Sequence, residues 1–313
     1  MTNSPLNFSS EMEMAEFVEK HELAFEEKVK NIIRVINKEN LKFIGLTGPS
    51  CSGKTTLANK IIEYMERHNK RLCVISIDDF YFDRDVLLEK AKIEGNEEID
   101  FDSVKTIDVD AIEETIEAIE QKLVVSLPHY DFISGKRSSS KTVDSSEYDA
   151  FLFEGIQILY PEIYSLFKKH DYKTMFICVE EGISVGDIRF EPNEVRFLRR
   201  VVRDYFFRNA NGEFSFHLWK GVRKNEDISI FPYVENCDYR INSGMPFEIG
   251  LFKPYLEKIL GEVSSESKYY DSAQQILAKI APIENIPKKH LLENSLYREF
   301  IPFDPKSENR GRI

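Results

Sequence analysis

The sequence predicts an α/β fold with a parallel sheet covered by helices on both faces. Two observations carry this. Short apolar runs that read as buried strands alternate with segments whose apolar residues recur at helical spacing. At one strand-to-helix junction lies Gly48-Pro49-Ser50-Cys51-Ser52-Gly53-Lys54-Thr55, which matches G-x-x-x-x-G-K-[ST] in full.

Residues 10–39 are rich in Glu and Lys, and Phe25, Val29, Ile32, Ile33 and Ile36 recur at helical spacing. They predict an amphipathic helix, so 1–39 is an N-terminal helical extension. It packs on its own main domain or on a partner, and the first is the simpler choice. Residues 41–47 read as a buried strand ending at Gly48. Leu57, Ala58, Ile61, Ile62 and Met65 mark the face of the next helix. Residues 72–77 read as a second strand. Ile112, Thr115, Ile116 and Ile119 mark another helix. Residues 124–127 and 138–143, with Gly135 between them, suit a hairpin. Residues 150–153 and 174–179 are two more short buried strands. Residues 194–208 are helical and arginine-rich. A last strand falls at 238–242 and a helix at 246–260.

Composition narrows the function. The 313 residues suit one large α/β domain with appendages, or two small ones. The formal net charge of −12 repels phosphate backbones, so nucleic-acid and anionic-membrane binding are not expected. Cys51, Cys73, Cys178 and Cys237 form no C-x-x-C pair, which suggests neither zinc nor a disulfide framework. No apolar stretch reaches the roughly 18 residues needed to span a bilayer. The first 20 residues are polar and acidic, unlike a signal peptide, so the cytoplasm is the expected location.

The glycine-rich loop is a phosphate cradle. Its glycines let backbone N–H groups turn toward one centre, and the following helix N-terminus adds positive partial charge. This predicts a P-loop NTPase fold. Gly48, Pro49, Ser50, Cys51, Ser52, Gly53, Lys54, Thr55 and Thr56 are the candidate nucleotide-binding residues. Lys54 reaches the β/γ-phosphates, and the Thr55 hydroxyl binds Mg²⁺. Cys51 is either a redox-sensitive thiol or a small filler, the plainer reading.

Two acids end predicted strands, where open α/β sheets bind ligands. Asp78, in Ile75-Ser76-Ile77-Asp78-Asp79-Phe80-Tyr81, is a candidate base and metal-side acid. Glu154, in Phe151-Leu152-Phe153-Glu154-Gly155, sits like a Walker-B acid that holds Mg²⁺. The alternative for each is a solvated strand-end carboxylate. Arg196, Arg199, Arg200 and Arg203 fall at i, i+3, i+4 and i+7, with Arg208 beyond. They suit a helical lid, spanning about 194–226, that closes on a phosphoryl group. The alternative is a solvated helix with Glu194 and Asp204 as partners. Gly212 and Gly221 flank Phe214, Phe216 and Trp219, which suits a mobile, partly apolar cover.

The loop G-P-S-C-S-G-K-T-T, then S-I-D-D-F-Y, Pro128-His129-Tyr130-Asp131-Phe132, F-E-G and R-R-V-V-R-D together resemble uridine kinases and their phosphoribulokinase relatives. The likeness is greater to a bacterial uridine kinase-like, or nucleoside kinase, branch. It shares S-G-K-R at 134–137, W-x-x-V-R at 219–223, I-F-P-Y at 230–233, N-S at 242–243, L-F-K-P-Y at 251–255 and N-S-L-Y-R-E-F at 294–300. The resemblance covers roughly residues 40–301. It implies a nucleoside/nucleotide-kinase-like P-loop kinase domain at 40–283 with the hairpin as a small substrate-binding insertion, followed by a C-terminal tail at 284–313. The last ten residues are polar and expected to be mobile.

The resemblance also implies roles. Asp78 sits by a nucleoside 5′-hydroxyl, Asp102 binds the ribose, and Tyr130 lies by the base with Phe132 close by. Tyr81 and Arg200 join the substrate side, Arg203 and Arg208 contact ATP phosphates, and Glu154 supports Mg²⁺. Catalysis then rests on Asp78, Lys54 and Arg203. Tyr130 and Phe132 read equally well as core aromatics. The chain departs from uridine kinases where a base-contacting His aligns with Gly135 and a lid arginine with Ala210; the lid is also longer and contains His217. Uridine specificity is therefore open. The expected function is transfer of the γ-phosphoryl group of ATP, or another NTP, to a small-molecule hydroxyl, best a nucleoside 5′-hydroxyl. Another polyol or sugar acceptor, or a non-kinase P-loop NTPase or nucleotide-binding regulator, are the alternatives. The resemblance favours self-association.

Overall fold

The structure, a computed structural model, describes residues 3–4, 8–93, 95 and 103–303. Asp102 and the polar end at 304–313 lie outside the described residues. A two-residue strand β1 (Asn3–Ser4) precedes α1 (Glu11–Glu39), β2 (Phe43–Thr47), α2 (Lys54–Arg67) and β3 (Leu72–Ser76). Then come α3 (Arg84–Ile93), α4 (Val109–Glu120), the hairpin β4 (Val124–Asp131) and β5 (Lys136–Asp144), β6 (Ala150–Glu154) and α5 (Pro161–Phe167). The chain continues through β7 (Tyr172–Cys178), β8 (Ile183–Val185), β9 (Ile188–Phe190), α6 (Pro192–Phe207) and α7 (Gly212–Ser229). It closes with β10 (Tyr239–Asn242), α8 (Glu248–Gly261) and α9 (Tyr270–Ile280).

Five strands form a sheet in the order β10-β7-β2-β6-β3, and every neighbouring pair is parallel. Side chains alternate between its faces, as strand geometry requires. Ile44, Leu46, Leu152, Met175 and Ile177 join one apolar layer with Leu57 and Ile61 of α2 and Val195 and Val202 of α6. Phe43, Phe151 and Phe153 join a second layer with Ile112, Ile116 and Ile119 of α4. Each fully buried side chain of this size contributes roughly 1.5–3 kcal/mol. The sheet is thus covered on both faces, and the carboxyl ends of β2, β3 and β6 open on one side.

Ser10 caps α1 by accepting a hydrogen bond from the Glu13 N–H at 3.2 Å. The α1 stripe of Met14, Val18, Phe25, Val29, Ile33 and Ile36 is buried. Its polar contribution is a buried ion pair between Glu26 and Lys60 of α2. Glu22 beside it accepts hydrogen bonds from the Ser295 hydroxyl and the Leu292 N–H. Removing one partner of such a pair strands the other charge in the interior. Lys60→Met is therefore expected to cost about 3 kcal/mol in urea unfolding, with part recovered by adding Glu26→Gln. No loss in the single variant would mean that the pair contributes nothing.

Helices α3, α5, α7 and α9 are not predicted from periodicity. Residues 212–229, expected to be a mobile cover, form a helix capped by Asn211, which accepts from the Phe214 N–H. Phe216 and Trp219 anchor it on Phe197 of α6, with ring centroids 4.7 and 5.4 Å apart. The segment read as a C-terminal tail is built into the core up to its last described residues: Leu296, Tyr297, Phe300 and Ile301 are all buried. Among the described residues no helix is long and apolar enough to cross a membrane.

Candidate active site

The loop at 48–53 leaves β2 and turns directly into α2. Gly53 takes a left-handed φ of 101°, and a Cβ there would lie 2.4 Å from Leu296 Cδ1. Backbone handedness and the neighbouring side chain both call for glycine. Cys51 also adopts a positive φ of 60°, a strained state for a side-chain-bearing residue. Its thiol is buried, which suits a filler. The first N–H of α2 to find an intrahelical acceptor belongs to Leu57, bonded to the Gly53 carbonyl. The preceding N–H groups lie in the cradle. Lys54 Nζ curls back to the carbonyls of Gly48 and Pro49 at 2.8 and 3.1 Å.

A cavity of about 340 Å³ opens above this loop. Lys54, Thr55, Asp78, Glu154, Arg203 and Arg208 line it together, with Ser50, Cys51, Tyr160, Asn225, Glu226 and Glu299. A second cavity of about 290 Å³ shares Tyr160 and Asn225 with it and reaches Ser103 and Val104.

Of the adjacent acids after β3, Asp78 faces the cavity. Asp79 instead holds the hairpin, accepting from the Tyr130 N–H at 3.0 Å with the His129 ring at the same distance. Burial pushes the Asp78 carboxyl above its ordinary range, and neighbouring Asp79 adds to this. Gln157 and Lys54 pull it back. Burial likewise raises Glu154, against the pull of Lys54 and a 2.9 Å hydrogen bond from the Ser76 hydroxyl.

Gln157 is absent from the sequence-based candidates. It is 1% exposed. Its Nε2 donates to Asp78 Oδ1 at 2.8 Å and to Tyr81 Oη at 3.2 Å. It thereby ties the acid to the aromatic group of Tyr81, Tyr130 and Phe132, whose ring centroids lie 5.1–6.0 Å apart. Tyr130 is buried in this group, while Phe132 is 59% exposed. None of the three lines the phosphate-side cavity. Gly135 holds a φ of 69° in the hairpin turn, and a Cβ there would meet the Arg84 side chain at 2.7 Å.

The arginines of α6 divide between two jobs, and neither is that of a solvated helix. Arg196 and Arg199 are 0% exposed. Arg196 makes a paired contact with Glu226 of α7, both bonds at 2.7 Å. Glu226 also accepts the Ser50 N–H at 3.0 Å and is bonded by Arg223. Burial alone would raise its pKa, but Arg196 and these other donors outweigh burial and hold it low. Arg199 is gripped by Glu248, by Ser243 and by the Cys51 carbonyl. Arg200 donates to the Ser50 hydroxyl at 3.1 Å. Arg200, Arg203 and Arg208 share the carboxylate of Asp204. One acid cancels only part of the charge of three guanidinium groups, so Arg203 and Arg208 keep capacity to pair with an anion in the cavity.

A family model described as Phosphoribulokinase / Uridine kinase family matches residues 43–246. Uridine-cytidine kinase B of Dictyostelium discoideum is 30% identical over 202 residues, covering 64% of this chain and 74% of that one. A uridine kinase of Ureaplasma urealyticum is 24% identical over 212 residues, covering 66% and 90%. In fold, the chain is similar to a solved structure assigned as a fructose transport system kinase from Silicibacter sp. TM1040. The TM-score is 0.50 at 16% identity, covering 68% of this chain and 98% of that one. With the match spanning more than half its length, the chain belongs to the phosphoribulokinase/uridine kinase family of P-loop kinases, phosphotransferases with an alcohol group as acceptor.

Proposed function

We propose that the protein transfers the γ-phosphoryl group of ATP, or a related NTP, to a nucleoside 5′-hydroxyl. The reading rests on one observation: a lysine, a hydroxyl, two carboxylates and two arginines, drawn from four separate chain segments, share one cavity above a glycine-rich loop. Relatives named uridine kinase and uridine-cytidine kinase support a nucleoside acceptor.

In this proposal the loop amides, Thr56 and Lys54 hold the phosphates, with Arg203 and Arg208 on the same charge. Thr55, Glu154 and Asp78 serve Mg²⁺. The fit is reasonable: two buried acids whose charge is disfavoured where they stand gain from a divalent cation. Among the described residues no group of three or more His, Cys, Asp or Glu is placed to hold a metal ion by itself. That suits an ion bound by one or two carboxylates plus substrate phosphates. When bound, Mg²⁺ supplies charge neutralisation on the transferring phosphate. Asp78 takes the hydroxyl proton as the acceptor oxygen bonds to the γ-phosphorus and the bond to the β–γ bridging oxygen breaks. ADP leaves with that electron pair. Gln157 keeps Asp78 oriented. Tyr81, Tyr130 and Phe132, with Asp102, form the acceptor side, and Arg200 reaches the acceptor from the loop side, where it is bonded to Ser50. A cytoplasmic location and self-association are part of the same proposal.

A different polyol or sugar acceptor is the second reading. Gly135, standing where uridine kinases carry a base-contacting His, favours it. ADP release measured with MgATP over nucleosides, sugars and polyols separates the two. Nucleoside-dependent release that stops on Mg²⁺ chelation is expected. Release with sugars or polyols alone selects the second reading, and acceptor-independent hydrolysis overturns both.

A further inference from the structure

Residues 294–301 bring a carboxylate to the phosphate cradle. Thr56 donates both its N–H and its hydroxyl to one oxygen, Glu299 Oε2, at 3.3 and 3.2 Å. This N–H belongs to the first turn of α2, whose donors have no acceptor inside the helix. It points to the place where the helix end favours an anion. Glu299 also lines the cavity with Lys54 and Arg203.

The side chain stands on a fixed platform. Leu296, Tyr297 and Phe300 are buried, and Leu296 presses against Gly53. The Arg199 guanidinium lies over the Tyr297 and Phe300 rings at 5.7 and 5.2 Å. Ser295 is tied to Glu22 of α1. The carboxylate is therefore delivered to the helix end by the last packed segment of the described chain.

We propose that Glu299 is an internal competitor for the nucleotide's phosphate tail, holding Thr56 in the empty enzyme and lowering nucleotide affinity. The inference rests on the nucleotide-binding reading of the loop. A phosphate brought to Thr56 must displace this carboxylate or share the helix end with it. Either course costs binding energy through like-charge repulsion and a lost pair of hydrogen bonds. The same carboxylate speeds departure of the nucleoside diphosphate, since it re-bonds Thr56 as the phosphates leave.

The sign of the effect separates this from an ordinary structural or ligand-holding role. Removing a residue that binds nucleotide, or that props up the cradle, weakens binding. Removing a competitor strengthens it. Glu299→Gln and Glu299→Lys are compared with the wild-type protein by calorimetric titration with MgADP and MgATP, with circular dichroism to verify folding. Binding is expected to tighten about tenfold in Glu299→Gln and further in Glu299→Lys. The gap should shrink as ionic strength rises to about 1 M. Unchanged or weaker binding in both variants overturns the inference while leaving the nucleotide site standing. Absence of binding by the wild-type protein overturns the underlying reading as well. If Glu299→Lys fails to fold, Glu299→Gln and its salt dependence decide alone.

Discussion

Asp78→Asn is expected to lower kcat about a thousandfold, with a much smaller loss of MgATP affinity through its share in holding Mg²⁺. General-base assistance contributes typically 10²–10⁴-fold. The amide keeps the shape of the carboxyl but cannot accept the hydroxyl proton. Gln157 can still meet the remaining oxygen. Loss of a step made only in the transition state lowers kcat and kcat/KM for the acceptor together. Steady-state kinetics with calorimetric titration of MgATP checks both halves. Turnover that survives the change removes the assigned role.

The same variant carries a second, independent signature. Burial raises the Asp78 pKa above its ordinary 3.8, so the folded protein holds that proton more tightly than the unfolded chain. Ionisation then costs stability as pH rises through the window between the unfolded and folded values. Asn escapes this cost. At neutral pH Asp78→Asn should melt higher than the wild-type protein, and the gap should close as pH falls to about 3.8 and below. A less active, more stable protein is what a strained functional carboxylate predicts. A less stable one would mark Asp78 as structural.

The local parts of this site were readable in the sequence because their chemistry is contiguous. Eight residues in order form the cradle, and Asp78 and Glu154 each end a short apolar run whose strand character is plain. What could not be read is pairing over distance. Glu226 reaches Ser50 across 176 residues, and Glu299 reaches Thr56 across 243. Glu299 falls in the shared phrase N-S-L-Y-R-E-F, but nothing local names Thr56 as its partner, or Ser50 as that of Glu226. Gln157 left a faint signal, a lone amide within the apolar run Ile156–Leu159, but nothing named Asp78 as its partner. The adjacent acids 78 and 79 look alike in sequence; the hairpin that docks on Asp79 separates them. The lid reading reaches 226, but α7's own periodicity is masked by its two glycines and aromatics, whose helical face only Phe197 of α6 completes.

Helical spacing puts Arg196, Arg199, Arg200 and Arg203 on a common side of α6, yet their losses should differ in kind. Arg199 is wholly enclosed, and Glu248 opposite it is equally enclosed. Arg199→Met keeps much of the volume but leaves Glu248 buried without its counter-charge. Breaking such a pair costs about 3–5 kcal/mol, far more than the pair's net worth, and should lower Tm by roughly 10 °C. Pairing Arg199→Met with Glu248→Gln should return much of that loss, because the stranded charge goes with it. Arg203 stands in the opposite position. Its partner Asp204 keeps Arg200 and Arg208 when Arg203 is removed, so no acid is stranded. Arg203→Met should leave Tm within about 2 °C of the wild-type value. In the proposed reaction it forfeits charge stabilisation on the transferring phosphate, worth about a hundredfold or more in kcat. Thermal melts and steady-state rates on the two variants test the division together. A stable Arg199→Met, or an Arg203→Met that unfolds early with its rate intact, would reverse the roles given to these arginines.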